Sequence, residues 1–241
     1  MSEKFAPCED CGEVKAPVLE IGAGGYRKEV SMRLCPDCQA IRDEAERHEQ
    51  ERRAAAARAY RAAHIMELLG RAGVPERYRN CSLDNFRGRP PEQRPAFITG
   101  PPGVGKTHLA VGYLREELLR RGEDAGRFVR AVDFFKEMRA TFDPKGTQEN
   151  EQEVLNRYGR MQCLLILDDL GTEKSSDWVQ QSLYDLIDSR YARLLPTVIT
   201  SNLSLDQIAA QYPSHGDRLA SRIAGLGEEL EIKGRDRRLE R

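Results

Sequence analysis

Apolar and polar positions change their spacing repeatedly along the chain from Gly73 onward. Short apolar runs predict strands at 96–99, 127–132, 163–167, 197–201 and 229–233. Between these runs, apolar residues recur at helical spacing in 108–121, 177–194 and 205–212, and again after Asp133. Because strands alternate with helices, the pattern predicts an α/β fold with a five-stranded parallel sheet flanked by helices.

Local signals predict where several of these elements begin and end. Gly122 ends the first helix of this region. Asp133 and Ser204 are predicted N-caps, because a short side-chain oxygen can accept a hydrogen bond from a free N–H of the first turn. The polar segment 143–152 is predicted to be a loop. The uninterrupted apolar run 163–167 is typical of a strand buried on both faces.

The residues before Gly73 divide into two further zones. Residues 1–40 hold four of the six cysteines and a Gly-rich turn at 22–25, and we predict a small zinc-binding ribbon there. Residues 41–72 are charged and Ala-rich, lack proline, and contain Gly70 as their only glycine. Their propensity predicts one long linker helix, which would lead into an ATPase domain at 73–241.

Composition restricts the classes of function that fit. The formal net charge is -1, so no global positive field attracts nucleic acid, and any such contact needs a local patch. A membrane span needs about 20 apolar residues, and the sequence has no such run. Residues 1–7 are too short and polar for a signal peptide. We therefore expect a cytoplasmic protein whose reduced cysteines are better suited to metal binding than to disulfides.

A phosphate-binding loop follows the first predicted strand of the sheet. It fits the pattern G-x-x-x-x-G-K-[ST] with Gly100, Pro101, Pro102, Gly103, Val104, Gly105, Lys106 and Thr107. Glycines let successive N–H groups turn inward toward phosphates, the lysine approaches the β- and γ-phosphates, and the threonine can ligate magnesium. His108, the next residue, joins the candidate nucleotide contacts. A simple Gly/Pro turn is the alternative, but the strand before the loop and the helix after it favour ATP binding.

Two carboxylates stand at the end of the most apolar strand. Asp168 and Asp169 directly follow the run Leu-Leu-Ile-Leu at 164–167. Ligands of open α/β sheets bind at the carboxyl ends of strands, where the phosphate loop also lies. Asp168 is therefore the candidate magnesium ligand, and Asp169 the candidate group that orients or deprotonates the attacking water. The alternative is that the pair only caps a helix or closes a turn.

The four cysteines near the N-terminus form two pairs. Cys8 and Cys11 make one C-x-x-C turn and Cys35 and Cys38 the other, so four thiolates could complete the closed shell of a structural zinc ion. Between the pairs, 18–21 and 26–32 flank the Gly-rich turn and predict a hairpin. The alternative of four unrelated cysteines stays open. A redox role is disfavoured because no βαβ pattern surrounds the pairs.

Several motifs together resemble the AAA+ ATPases. Within them the chain is similar to the DnaC/DnaI group of replicative helicase loaders and to the related IstB transposition helpers. The motifs that carry the resemblance are the phosphate loop, Leu-Asp-Asp-Leu-Gly at 167–171, Thr-Ser-Asn at 200–202, Asp-Arg-Leu-Ala-Ser-Arg-Ile at 217–223, and the segments 74–80 and 83–86. The resemblance covers about 74–239. It implies an ATPase that binds a replicative helicase and single-stranded DNA and assembles as an ATP-dependent homo-oligomer.

The resemblance also implies roles for particular residues. Asn202 would be the sensor that contacts the attacking water or γ-phosphate. Arg222 would be the arginine finger that reaches a neighbouring subunit's ATP, with Arg218 as the second choice. Without the resemblance, both arginines read more simply as part of a solvated helix face. Asp169 replaces the glutamate found in many relatives, which implies slow hydrolysis.

The end of the chain departs further from the family pattern. The helical lid that usually follows the fifth strand is missing from the sequence pattern. Its absence leaves Arg235, Arg237 and Arg238 without an assigned role.

Binding of single-stranded DNA, implied by the resemblance, requires cations and aromatic rings. The candidates are Trp178, Phe142 and Lys174. Lys174 lies in the segment 172–177, which is expected to face the channel of the oligomer. The alternative is that both aromatic residues pack in the core.

Three functions remain in competition. The first is an ATPase that uses Mg2+ and loads a replicative helicase, with the zinc module contacting the helicase. The second is an IstB-like helper of a transposase that acts on duplex DNA. The third is a zinc-dependent adaptor that binds nucleotide only as a structural ligand.

Overall fold

A computed structural model describes residues 5–21, 28–31, 33–142 and 149–239. The chain divides into two compact units, Met1–Tyr60 and Arg61–Arg241. Among the described residues, no helix is both long enough and apolar enough to span a membrane.

The first unit contains an antiparallel sheet and a long helix. Strands β1 (Phe5–Pro7), β2 (Val14–Ile21) and β3 (Lys28–Ser31) pair in the order β1-β2-β3, and helix α1 (Pro36–Ala63) follows. The predicted hairpin is confirmed in the pairing of β2 with β3, whereas its Gly-rich turn at 22–25 lies outside the described residues. The sheet also contains β1, which the sequence pattern does not predict.

The prediction of a single helix over 41–72 is wrong. Helix α1 begins five residues earlier, at Pro36, and ends at Ala63, and a second helix, α2 (Ile65–Arg71), begins after His64. None of the residues of α1 is buried, whereas Ile65 and Leu69 of α2 pack into the core of the second unit. The helical segment is therefore interrupted at His64. The helix before it is solvated, and the helix after it has a buried apolar face.

The second unit is built on a five-stranded parallel sheet, which confirms the predicted fold class. Its strands pair in the order β5-β6-β7-β4-β8. Their bounds are β4 (Phe97–Thr99), β5 (Gly126–Arg130), β6 (Leu164–Leu170), β7 (Thr197–Ser201) and β8 (Glu229–Glu231). The helices are α2, α3 (Lys106–Arg121), α4 (Ala131–Ala140), α5 (Glu151–Arg160), α6 (Asp177–Ala192), α7 (Leu205–Gln211) and α8 (Gly216–Gly225).

The sheet is buried on both faces. Leu165 and Leu167 of β6 point into one apolar cluster, which the helices α4 to α8 complete. Leu164 and Ile166 point into the opposite cluster, which contains α2 and α3. Successive side chains of a strand point to opposite faces, so an uninterrupted apolar run serves two cores at once. The strand predicted at 163–167 is confirmed, although it begins at Leu164 and continues to Leu170.

Several helix boundaries differ from the sequence-based expectations. Asp133 is not an N-cap: β5 ends at Arg130 and α4 begins at Ala131, so Asp133 lies inside the first turn and pairs with the side chains of Arg130 and Lys136. Ser204 does cap α7, because its hydroxyl accepts a hydrogen bond from the N–H of Gln207 at 3.3 Å.

One helix was not predicted, and another was expected only as the helix face that carries Arg218 and Arg222. Helix α5 begins inside the predicted loop 143–152, of which residues 143–148 lie outside the described residues. Asn150 caps α5, and Val154 and Tyr158 bury one face of it among otherwise polar residues. Helix α8 spans Gly216–Gly225 and buries Leu219 and Ile223. In both helices these buried apolar residues lie four positions apart, so each pair falls on one face of its helix.

Candidate nucleotide site and cysteine cluster

The phosphate loop connects β4 to α3 at the carboxyl edge of the sheet. Gly100 has φ of 142°, and a Cβ there would lie 2.2 Å from the carbonyl oxygen of Ile232. Gly105 has φ of 109° and immediately precedes the first residue of α3. These positions require glycine, since L side chains avoid positive φ and no space exists for Cβ at Gly100. The free N–H groups of the first turn of α3 make its N-terminus an anion site.

Lys106 is buried at the start of α3, with only 8% of its surface exposed. Its Nζ donates to the carbonyl oxygens of Gly100 at 2.7 Å and Pro101 at 2.8 Å, and to Oδ1 of Asn202 at 2.7 Å. Burial lowers the pKa of Lys106, while the carboxylates of Asp169 and Asp168 act in the opposite direction. A buried cation of this kind is a strong attractor for phosphate oxygens.

Asp168 lies opposite the phosphate loop with 4% of its surface exposed. Its Oδ1 accepts hydrogen bonds from the hydroxyls of Thr200 at 2.7 Å and Thr107 at 2.9 Å. Burial raises the pKa of Asp168; the two hydroxyls and Lys106 lower it, and Asp169 raises it. One carboxylate and one hydroxyl oxygen thus meet at the place where the sequence predicts magnesium, and hard oxygen donors of this kind fit that ion.

Asp169 and Asn202 complete the polar cluster. Asn202 follows β7, and its Nδ2 donates to Oδ1 of Asp169 at 3.2 Å while its Oδ1 accepts from Lys106. Asp169 has φ of 61°, which is uncommon for a residue with a side chain. The four predicted residues Lys106, Asp168, Asp169 and Asn202 therefore lie together at one edge of the sheet.

These residues line a cleft of about 740 Å³. His108 also lines it, and its Nε2 lies 3.0 Å from the carbonyl oxygen of Ser82 and 2.8 Å from Oδ1 of Asn85. The histidine thus ties the phosphate-loop helix to the segment before β4. Burial lowers the pKa of His108, which favours the neutral imidazole.

Three further residues that were not predicted as site residues also line the cleft. Arg237 and Arg238 reach it from the end of the chain, and Arg130 reaches it from the end of β5. The guanidinium of Arg237 lies 5.2 Å from the ring centre of Phe86, and its backbone N–H donates to Gly103 at 3.2 Å. The only sequence signal for Arg237 and Arg238 is the arginine-rich segment 235–238. The position of these two residues depends on the path of the chain after β8.

Arg222 does not line this cleft. It lies on α8, where its Nε donates to Oδ1 of Asp188 at 2.6 Å and its guanidinium lies 4.9 Å from the ring centre of Tyr191. The hydrogen bond with Asp188 raises the pKa of Arg222. Arg218 lies on the same helix and is exposed.

The two aromatic residues predicted to stack on DNA bases lie in contact with each other. The ring centres of Phe142 and Trp178 are 5.3 Å apart, and the guanidinium of Arg139 lies 5.6 Å from the centre of Trp178. Phe142 is 58% exposed, whereas Trp178 is half-buried and donates its indole N–H to Glu151. Lys174 is exposed in the turn after β6.

The four N-terminal cysteines converge in the first unit. Their sulfur atoms all lie within 4.8 Å of one another, and Sγ of Cys11 lies 3.9 Å from Sγ of Cys35. Zn–S bonds of about 2.3 Å in a tetrahedron require sulfur atoms about 3.8 Å apart, so the donor set fits zinc. The backbone N–H groups of Cys11 and Cys35 lower the pKa of Cys8 to about 6, which favours its thiolate. Cys38 closes the cluster from the first turn of α1.

Sequence and structure comparisons with known proteins agree with an ATP-binding cleft. Residues 91–241 match the family described as IstB-like ATP binding protein. The replicative helicase loader DnaC of Escherichia coli strain K12 is 27% identical over 197 residues, which cover 74% of this chain and 77% of that protein. A crystal structure of the DnaC helicase loader is 30% identical, with a TM-score of 0.53 over 66% of this chain and 100% of that one.

A crystal structure of DnaI supports the fold alone. Its sequence identity to this chain is 24%, and the TM-score is 0.51 over 68% of this chain and 93% of that chain.

The fold and the cleft together define an ATP-binding P-loop protein of the AAA+ type. Because the matched segment is more than half of the sequence, this chain belongs to the IstB-like ATP binding protein family. The predicted resemblance to the AAA+ proteins of the DnaC, DnaI and IstB group is confirmed.

Replacement of Cys35 by serine should remove bound zinc. A serine hydroxyl stays protonated near neutral pH and is a poor zinc ligand, so three thiolates would remain to hold the ion. We expect about one zinc ion per chain in the unaltered protein and a small fraction of that in Cys35→Ser, measured by mass spectrometry of the metal after dialysis against a chelator. Cys163→Ser, in the second unit, is the control and should retain zinc. Equal zinc contents in Cys35→Ser and the control would contradict the assignment.

Proposed function

We propose that this protein is an ATP-dependent loader that places a replicative hexameric helicase on single-stranded DNA. The observation that carries the proposal is the cleft in which Lys106, Asp168 and Asn202 meet the phosphate loop. The helicase loader DnaC is similar to this chain over 197 residues, which supports loading over other uses of an ATP-binding domain.

Nucleotide binding would use groups that the cleft already holds together. The phosphate-loop N–H groups and Lys106 would contact the phosphates, and Thr107 and Asp168 would hold magnesium, the latter through water. When bound, Mg2+ neutralises charge on the β- and γ-phosphates. The buried position of Lys106 strengthens its attraction for them, since less water screens the charge.

Hydrolysis would depend on Asp169 and Asn202. Asp169 would accept a proton from, or orient, the attacking water, and Asn202 would hydrogen bond to that water or to the γ-phosphate. Arg222 would contact the ATP of a neighbouring subunit in an ATP-dependent oligomer, after its hydrogen bond with Asp188 is broken.

Turnover measurements test the roles of Asp169 and Arg222. Asp169→Asn should bind ATP without hydrolysing it. Arg222→Ala should lose the rise in specific activity with protein concentration, and unchanged rates would remove the two assignments.

Single-stranded DNA would bind at the patch formed by Arg139, Phe142 and Trp178. Phe142 offers an exposed ring for stacking, and Arg139 adds a positive charge beside it. Stacking on aromatic rings combined with cations is how proteins hold single strands without sequence preference. Trp178 would support Phe142 from beneath, since it also packs against Phe135 at 6.0 Å. Lys174 would contact the DNA backbone.

The family match supports a second candidate function. The matched family is described as IstB-like, and an IstB-like helper would activate a transposase on duplex DNA. The cysteine cluster lies outside residues 91–241, the segment that the IstB-like family matches. This favours the loader, in which the zinc module would dock on the helicase. A structural adaptor without turnover is the third candidate.

Loading can be measured directly with the replicative helicase from the same source. We expect this protein and ATP to raise the amount of helicase retained on circular single-stranded DNA after gel filtration. Lys106→Ala should reduce that amount to the level seen without the loader, because the variant lacks the positive charge that would bind the ATP phosphates. Lys233→Ala is the control, since this side chain is 81% exposed, and it should behave like the unaltered protein.

The loading assay, together with transposase capture and an ATP turnover assay, separates the three candidates. If the unaltered protein neither binds the helicase nor raises its retention, the loader proposal fails. Capture of the transposase from the same source, together with preference for duplex DNA, would then support the IstB-like helper. ATP binding without any turnover would instead support the adaptor.

Replacement of Phe142 by alanine should weaken binding of single-stranded DNA. Loss of one stacked base costs about 1–3 kcal/mol, so we expect affinity for a fluorescent oligothymidine to fall by about 5- to 150-fold in anisotropy titrations. ATP binding should not change. Leu194→Ala is the matched control, because Leu194 is 90% exposed and lies in the loop after α6. Equal DNA affinities for both variants and the unaltered protein would remove this patch from the proposal.

A further inference from the structure

The two acidic residues of the cleft lie in a bulge of the central strand. Leu167 of β6 pairs with Ile199 of β7, and the next pair is Leu170 with Ser201. Asp168 and Asp169 therefore stand opposite a single residue, Thr200. A bulge of this kind interrupts the ladder and redirects side chains, so something else must fix the residues within it.

The Thr200 hydroxyl supplies contacts to both residues of the bulge. It accepts the backbone N–H of Asp169 at 2.9 Å and lies 2.7 Å from Oδ1 of Asp168. An N–H can only donate, so it occupies a lone pair of the hydroxyl and leaves the hydroxyl proton for the carboxylate. Thr200 is 1% exposed, which keeps water from replacing either contact.

Thr107 makes a similar contact to the same carboxylate oxygen, but its position differs. It lies in the phosphate loop, and in the proposed function its hydroxyl is a magnesium ligand. Thr200 lies on β7, opposite the bulge and at the wall of the cleft, and its hydroxyl is committed to Asp168 and Asp169. Of the two hydroxyls, it is therefore the one that can hold the carboxylate while Thr107 engages the ion.

The bulge geometry also needs support at Asp169. Its φ of 61° is a conformation that a residue with a side chain adopts at a cost. The hydrogen bond from its N–H to Thr200 offsets part of that cost, as does the bond from Thr172 to its carbonyl oxygen at 3.1 Å. The hydroxyl of Thr200 thus hydrogen bonds both to the carboxylate of Asp168 and to the backbone of Asp169.

We propose that Thr200 is a positioning residue that orients the acidic bulge for magnesium-dependent nucleotide binding. The inference rests on the proposed ATP site. Thr200 itself would contact neither the nucleotide nor the metal. Its hydroxyl acts through Asp168, whose carboxylate it aims at the metal position, and through Asp169, whose backbone it fixes.

The test compares two substitutions that separate the hydroxyl from the shape of the side chain. Thr200→Val keeps the branched shape and removes the hydroxyl, and Thr200→Ser keeps the hydroxyl. The readout is the affinity for a fluorescent ATP analogue, measured once with excess Mg2+ and once with a chelator. The ratio of the two affinities reports the contribution of magnesium separately from that of the phosphate loop.

Thr197→Val is the matched control. Thr197 is a buried threonine on the same strand, and its hydroxyl bonds to Leu195 and Arg190 at the opposite end, away from the cleft. Thermal unfolding of each variant reports any loss of stability. If Thr200→Val does not fold, Thr200→Ala replaces it, since it also removes the hydroxyl.

We expect Thr200→Val to reduce the gain in affinity from Mg2+ by about tenfold or more, because hydrogen bonds to charged groups are among the stronger ones. Its affinity in the chelator should stay near that of the unaltered protein. Thr200→Ser should retain most of the gain, and Thr197→Val all of it.

Other results overturn the inference in distinguishable ways. An unchanged gain in Thr200→Val removes the positioning role and leaves the proposed ATP site intact. An equal fall in both conditions, with a lower melting temperature, shows a structural role only and also overturns it. If the unaltered protein gains no affinity from Mg2+, the magnesium part of the proposed function fails, and the inference fails with it.

Discussion

Two charged side chains, Lys106 and Asp168, are buried at the same edge of the sheet, and burial of charge costs free energy unless hydrogen bonds and opposite charges offset it. Two loop carbonyls and Asn202 surround the lysine, and two threonine hydroxyls hold the carboxylate. The rest of the site follows from this constraint. The ends of β4, β6 and β7 must meet closely enough for each charge to find its partners, which their neighbouring positions in the sheet allow.

The apolar core makes that edge rigid. Strand β6 buries alternate residues in the two clusters on either side of the sheet, so it cannot shift without disturbing both. The polar residues begin where the buried run ends, at Asp168. An ATP site built on strand ends in this way is held by the scaffold and not by flexible loops.

The parts of the site that could be predicted from the sequence are those with contiguous signals. The phosphate loop is one run of residues, and the acidic pair directly follows the run of 164–167. Two C-x-x-C pairs predict a metal cluster because each pair is local. The phosphate loop and the acidic pair meet in space because they follow parallel strands, whose carboxyl ends share one edge of the sheet.

The features that escaped prediction depend on contacts between distant residues. The bulge at Asp168 and Asp169 exists only in the register of β6 with β7, which apolar spacing does not report. The break at His64 reflects the burial of the helix that follows it. Arg237 reaches the cleft because the chain after β8 lies against Gly103 of the phosphate loop, and no local pattern carries that information.

A crystal structure with Mg2+ and a non-hydrolysable ATP analogue would test the ATP site directly. Phosphate oxygens should lie within hydrogen-bonding distance of Lys106 and the phosphate-loop N–H groups. Mg2+ should lie beside Thr107, with Asp168 contacting it through water. Binding of the analogue elsewhere, or in this cleft with its phosphates out of reach of Lys106, would show that the cleft is not the ATP site proposed.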